Sequence, residues 1–281
     1  MKLIWVIIVI LITLVTIINF GSNNFNKVIK KEIKQLTSNM SNPAAKVFTY
    51  ADIKELPEPV QRYFKFTLKE GQTYIRFVRL KQTGLFRTKP EQNFMPIKAE
   101  QYFTTEKPAF IWKATANPTS FIWIGVRDKY YQGKGNMLVK LFSSFTLANA
   151  KGKEIDISSL IRFLSEAPWF PTALLPSDYL EWIAIDSNSA MAVITDGQYT
   201  ASVIFTFNER GEIIKLSTKD RYMDNDGQYS KEEWICHYNN YQEINGVKIP
   251  IEGEVDWNLP KGTFNYAKLK VTDIQYDNPF Q

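Results

Sequence analysis

Glu166 is the first residue to weigh for chemistry. It closes the apolar stretch FLSEAPWFP, three residues before Trp169. A carboxyl partly buried beside an indole has its charged form disfavoured, so its pKa rises and it can serve as a general acid. The alternative is a structural acid paired with an arginine such as Arg221 or Arg127. The chain has one cysteine and one histidine, Cys236 and His237, adjacent in WICHYNNY. That run alternates as a strand does, so the two side chains leave opposite faces and cannot pair for nucleophilic catalysis. One cysteine and one histidine exclude an intramolecular disulfide, a C-x-x-C zinc site and any site with two histidine ligands. Asp224-Asn225-Asp226 is rich in oxygen ligands but lacks the longer loop with a distal glutamate, and reads as a turn. Gly133-Lys134-Gly135 is too short to cradle a phosphate, and no GxSxG, Walker or GxGxxG pattern is present. No catalytic residue, metal site or cofactor is assigned.

Aromatic residues make up 14% of the chain, with Trp112, Trp123, Trp169, Trp182, Trp234 and Trp257 spread along it. Most such residues are core in any domain. A curved sheet carrying so many can also leave an apolar hollow under a covering segment, and ligand sites are concave, mostly apolar and marked by few polar groups. The expected site therefore lies between a concave sheet face and residues 156–176, lined by Trp123, Arg127, Glu166, Trp169, Arg221 and Trp257. The function expected is a binding or carrier-like module for an apolar ligand. The alternatives are a structural or interaction protein with a filled core and no ligand, and a carboxylate-dependent enzyme centred on Glu166.

The elements that must position these residues are mainly strands. Tyr199, Ala201, Val203, Phe205 and Phe207 alternate with Thr200, Ser202, Ile204 and Thr206, a half-buried strand. Gly253, Val255 and Trp257 alternate in the same way with Glu252, Glu254 and Asp256. Asp196-Gly197, Glu209-Arg210-Gly211, Asp226-Gly227, Asn245-Gly246 and Lys261-Gly262 are turn signals between such runs, so sequential antiparallel hairpins follow. The fold class is mainly β: a curved antiparallel sheet or open barrel with a few covering helices and an N-terminal transmembrane helix. One covering helix begins at Asp156-Ile157-Ser158-Ser159, carries Leu160, Ile161, Phe163 and Leu164, and stops before Pro168. The following PWFPTALLP has three prolines, cannot be a central strand, and is expected to lie over the sheet as a rigid loop or short helix. A short helix with Pro59 in its first turn, carrying Val60, Tyr63 and Phe64, is expected at the domain entrance.

Leu3–Phe20 is uncharged. Eighteen helical residues span about 27 Å, close to the ~30 Å hydrocarbon thickness. The run is longer than the apolar core of a secretory signal and no small-x-small cleavage site follows it, so the expectation is an uncleaved anchor whose partner is the lipid bilayer, through residues 3–20. From Phe25 to Met40 the apolar spacing is helical, with lysines on the other face. Such a basic amphipathic helix either lies on an anionic membrane surface or packs on the domain. The division expected is an anchor at 1–22, a basic helix and linker at 23–50, and a β-rich domain at 51–281. The net charge of +5 resides mostly in residues 1–40, which hold Lys2, Lys27, Lys30, Lys31 and Lys34 against Glu32. The rest carries 29 basic and 28 acidic groups, which argues against a nucleic-acid partner. The lysines after the apolar run favour a cytoplasmic domain, whereas a short N-terminus before a single anchor favours the opposite. The extracytoplasmic orientation is taken here.

LPEPVQRYF (56–64), RLKQTGLFR (79–87), FLSEAPWFPTALLP (163–176), FTFNERGEI (205–213) and NGVKIPIEGEVDW (245–257) together resemble a bacterial family of unknown function that often carries N-terminal membrane helices. The resemblance covers roughly residues 55–276 and is most specific in EAPWFPTALLP. Glu166, Trp169, Pro171, Arg221, Pro250 and Trp257 match its pattern. It implies no activity. The fold it implies is similar to that of lipoprotein- and lipid-carrier domains, in which helices cover a curved antiparallel sheet.

Overall fold

The period-two alternation after residue 74 becomes one 13-stranded antiparallel sheet in a computed structural model that describes residues 2–38, 46–225 and 227–278. Its strands are β1 (Phe77–Phe86), β2 (Met95–Thr104), β3 (Ala109–Thr119), β4 (Ile122–Tyr131), β5 (Lys134–Leu141), β6 (Phe145–Lys151), β7 (Leu180–Asp186), β8 (Ser189–Asp196), β9 (Tyr199–Phe207) and β10 (Ile213–Thr218). A separate hairpin, β11 (Tyr222–Asn225) and β12 (Gln228–Lys231), precedes β13 (Glu233–Ile244), β14 (Val247–Leu259) and β15 (Gly262–Tyr276). The order across the sheet is β6-β5-β4-β3-β2-β1-β15-β14-β13-β10-β9-β8-β7. The chain thus lays down two meanders and joins them by pairing β15 with β1, Arg79 opposite Gln275. The turn signals at 196–197, 209–211, 245–246 and 261–262 each connect two strands, and Gly227 lies between β11 and β12.

Residues 152–179 link β6 to β7, the two edges of the sheet. Their main element is α3 (Lys153–Glu166), which starts three residues earlier than the sequence suggests. It packs against β4, β5 and β6 on one flank and β8, β9 and β11 on the other. β5 and β9 are nine strands apart, about 43 Å in a flat sheet, whereas a helix is ~10–12 Å across. One helix can touch both only if the sheet curls around it. Two 3-10 turns, Ala167–Trp169 and Pro171–Leu174, follow α3, as the prolines require.

α1 is one helix from Lys2 to Ser38. It runs without a break across residue 22, where the sequence suggested a boundary. Its second half packs on the outer face of the sheet: Phe25, Ile29 and Leu36 are buried with Ala109 and Ile111. Glu32 reaches Lys129 Nζ at 2.8 Å and Arg127 Nε at 3.2 Å. This is the domain-packed alternative for the basic helix, with Lys27, Lys30, Lys31 and Lys34 left exposed. Met40 and the linker residues Asn42-Pro43 lie outside the described residues. The chain from Lys46 onward already belongs to the domain, since Phe48 is buried and Val47 bridges Thr73. α2 (Glu58–Thr67) has Pro59 in its first turn and buries Val60, Tyr63 and Phe64.

Candidate functional site

Strand parity decides where each candidate points. On β4, Trp123, Gly125, Arg127 and Lys129 face outward and Asp128 and Tyr130 face inward. The structure therefore splits the expected ligand site in two. Trp123 and Arg127 lie on the outer face under α1. Trp123 meets the Phe142 ring edge-on at 4.9 Å. Arg127 is buried, donates to Asn136 O at 2.8 Å and to Asn136 Oδ1 at 2.7 Å, and lies 3.2 Å from Glu32 without the alignment of a hydrogen bond. Burial pulls the Arg127 pKa down, with Glu32 opposing. Glu166, Trp169, Arg221 and Trp257 lie on the inner side.

The space expected between the sheet and residues 156–176 is filled by protein. Leu160, Ile161, Phe163, Leu164, Phe170, Leu174 and Leu175 are all buried there, and Trp169 is 5% exposed. The ring of Phe103 on β2 lies 4.6 Å from that of Phe170. The physical cause is side-chain volume: α3 and the proline-rich turns together bring more apolar bulk than the inner face leaves open.

What remains on the inner side, beyond α3, is a buried polar and aromatic cluster. Arg162 is its hub. Its guanidinium donates to Asp128 Oδ2 at 2.6 Å and Glu166 Oε1 at 3.1 Å, and lies 4.7 Å from the Trp112 ring. Gln101 Nε2 donates to the other Glu166 oxygen at 2.7 Å, and Trp112 Nε1 donates to Gln82 Oε1 at 3.1 Å. Glu166 is thus paired with an arginine, but that partner is Arg162, one turn earlier on the same helix, and not Arg221 or Arg127. Burial pushes its pKa up, with Arg162 the main opposing influence. Both Glu166 oxygens are engaged, one by Arg162 and one by Gln101.

Arg221 sits alongside. Its Nη1 donates to Ser158 O at 2.5 Å and its guanidinium covers the Trp234 ring at 4.2 Å. Trp234 Nε1 donates to the Tyr266 hydroxyl at 2.9 Å, and Trp257 packs beside both rings, 6.5 Å from Trp234 and 6.3 Å from Tyr266. Burial raises the Tyr266 pKa, with Arg221 the largest opposing influence. Among the described residues no carboxylate lies within ion-pair distance of Arg221. Its Nε, Gln82 Nε2 and Gln101 Oε1 are buried without hydrogen-bond partners.

Sequence reasoning missed Arg162, Asp128, Gln82 and Gln101. Arg162–Glu166 was readable as an i,i+4 pair on a helix. Asp128 was readable only as facing opposite to Arg127; which of the two turned inward was not. The glutamines carried no signal, because their burial depends on the curl of the sheet. Cys236 and His237 do leave opposite faces. Cys236 is buried, which pushes its pKa up to about 12, and His237 lies on the outer face with Nε2 3.1 Å from Asp256 Oδ2. Asp224 accepts from Gly227 N at 2.7 Å, closing the β11–β12 turn, while Asp226 lies outside the described residues.

The arrangement defines a class: a curled, unclosed antiparallel sheet plugged by one helix, preceded by a helix long and apolar enough to cross a membrane. Residues 46–269 match the family of unknown function DUF6544, and the chain belongs to that family. No curated protein matches the sequence. The fold is similar to a DUF1329 family protein from Desulfovibrio piger (10% identity over 74% of this chain and 88% of that one, TM-score 0.42). It is also similar to a LolA superfamily protein from Nitrosomonas europaea (10%, 78% and 92%, TM-score 0.42). A third similar structure is a putative outer membrane lipoprotein-sorting protein domain from Vibrio parahaemolyticus (8%, 73% and 87%, TM-score 0.41).

Proposed function

We propose that the protein is a membrane-tethered binding module for an amphipathic ligand with an anionic head and an apolar tail. The head sits at Arg221, among Trp234, Trp257 and Tyr266. The observation that carries this reading is the Arg221 guanidinium itself: partly buried, without a carboxylate partner among the described residues, and with its buried Nε unpartnered. Buried cations are normally paired, because desolvating a charge is expensive unless another charge or several hydrogen bonds replace the water. An anionic head supplies the missing partner. The tail lies along the inner face beyond α3, where the register aligns Gln82, Ala99, Ala114 and Val126 in one row and Gly84, Ile97, Ala116 and Ile124 in the next. In this reading residues 3–20 cross the bilayer once and the domain is extracytoplasmic.

Native mass spectrometry of the full chain extracted in detergent tests this reading. Wild type should carry a co-purified species of lipid mass, and Arg221→Met, which keeps the apolar stem, should lose it. The filled space under α3 favours a second reading, a structural or interaction protein with no small ligand. A wild-type chain that is bare in every charge state would establish that reading against the first.

A further inference from the structure

We propose that the tips of the β3–β4 and β5–β6 hairpins enter the interfacial layer of the bilayer, so that the domain is seated on the lipid surface beside α1. This rests on the reading that residues 3–20 span a membrane.

The first observation is position. In the β5–β6 turn the Ser144 hydroxyl donates to the carbonyl oxygen of Ile18 at 2.7 Å. A Cβ placed on Gly21 would lie 2.5 Å from Ser144 Oγ. Ile18 belongs to the uncharged run Leu3–Phe20, so a turn of the sheet touches the span itself. β4 lies alongside the helix in the same direction, with Gly125 against Phe25 and Lys129 against Glu32. Stepping back along β4 from Gly125 to Ile122 covers about 10 Å, equivalent to between six and seven residues of helix. That brings Ile122 to the level of Ile18 and Asn19, with Phe121 beyond it.

The second observation is chemistry. Turn tips facing water are ordinarily built from Gly, Pro, Asn, Asp and Ser. Here Ser120 and Ser143–Ser144 are joined by apolar residues: Phe121 is 87% exposed, Leu147 57%, Phe145 41% and Ile122 38%, with Phe20 at 77%. Single exposed apolar residues need no explanation. Phe121 and Ile122 lie level with the end of the span and continue its apolar surface; by register Phe145 follows in the row of Ile124 and Leu147 beside Gly125 and Val126. The Trp123–Phe142 ring pair sits immediately behind them, where amphipathic aromatics favour a membrane–water interface. Farther along α1, exposed Lys27, Lys30, Lys31 and Lys34 begin about 10 Å past Phe20 and complement anionic head groups. The lipid surface is the one partner whose level is set by the span.

The test uses the full chain in vesicles of phosphatidylethanolamine and phosphatidylglycerol. An environment-sensitive fluorophore is attached to Phe121→Cys, Phe145→Cys, Lys107→Cys at the opposite end of the sheet, and Leu11→Cys within the span. Buried Cys236 leaves wild type as the unlabelled control. Lipids bearing a nitroxide near the head group should reduce emission severalfold at 121 and 145 and leave 107 unchanged, while a deep nitroxide should quench 11. Quenching at 11 with 121 and 145 behaving like 107 would refute the seating and leave the span intact. No quenching at 11 would overturn the span, and the seating with it.

Discussion

Arg162 is the residue on which the interior depends most. It joins two buried carboxylates, Asp128 and Glu166, and packs on Phe110 and Trp112. Removing the shared cation strands both acids in a low-dielectric setting, and loss of one partner from a buried pair costs about 3–5 kcal/mol. Arg162→Ala should therefore destabilise the domain by roughly that amount in denaturant melts. The sign of the pH dependence follows from Glu166. Burial already raises its pKa, and Arg162 is the largest influence holding it down. Without Arg162 the folded pKa rises further above its unfolded value of about 4.3. A carboxyl shifted in that direction contributes fully below the unfolded value and loses its contribution as pH rises through the folded one. The variant's deficit should be small in acid and widen toward neutral pH; a deficit independent of pH would show that the carboxylates are not the cause.

At the scale of elements, the segment from α3 to Leu175 closes the sheet's inner face. Pro168 and Pro171 break the helix and set two 3-10 turns, and the carbonyl of Trp169 accepts from the Tyr276 hydroxyl at 2.7 Å. Thr172 Oγ1 accepts from Ile75 N at 2.9 Å. The segment is thus tied to β15 and to the chain entering β1, the seam where the two meanders meet. Trp169 packs in the main core there. Trp169→Ala should cost about 3–5 kcal/mol, as large-to-small changes at filled aromatic sites do, and Trp169→Phe should recover most of it. A loss below about 1 kcal/mol for the alanine variant, outside that range, would mean that the indole lines a hollow. The resemblance marked this segment as the most specific part of the chain, and its packing gives a physical reason: it is where volume, proline geometry and the sheet seam must agree.

For the whole molecule, membrane attachment is the property to test. Leu3–Phe20 is exposed in the structure, as a lipid-facing helix would be, and the same helix continues into the domain and buries Phe25, Ile29 and Leu36. The apolar run and the domain are therefore joined by one continuous helix. The full-length chain should fractionate with membranes and resist extraction by high salt, and external protease should digest the domain in cells stripped of their outer layers. A mature chain beginning near residue 22 would contradict the anchor, and protection from protease would place the domain inside. What the sequence by itself determined was whatever depends on neighbours along the chain. Alternation specified the strands, glycine-containing pairs specified the hairpins, prolines ended α3, and adjacency sent Cys236 and His237 to opposite faces. What only the tertiary structure decided was whatever depends on curvature. Trp123 and Arg127 share β4 with Asp128, yet belong to the outer face under α1. Gln82 and Gln101 enter the interior because the sheet curls around α3. The space expected for a ligand under residues 156–176 closed because side-chain volumes from both sheet flanks and the covering segment sum in three dimensions, a quantity no local pattern encodes.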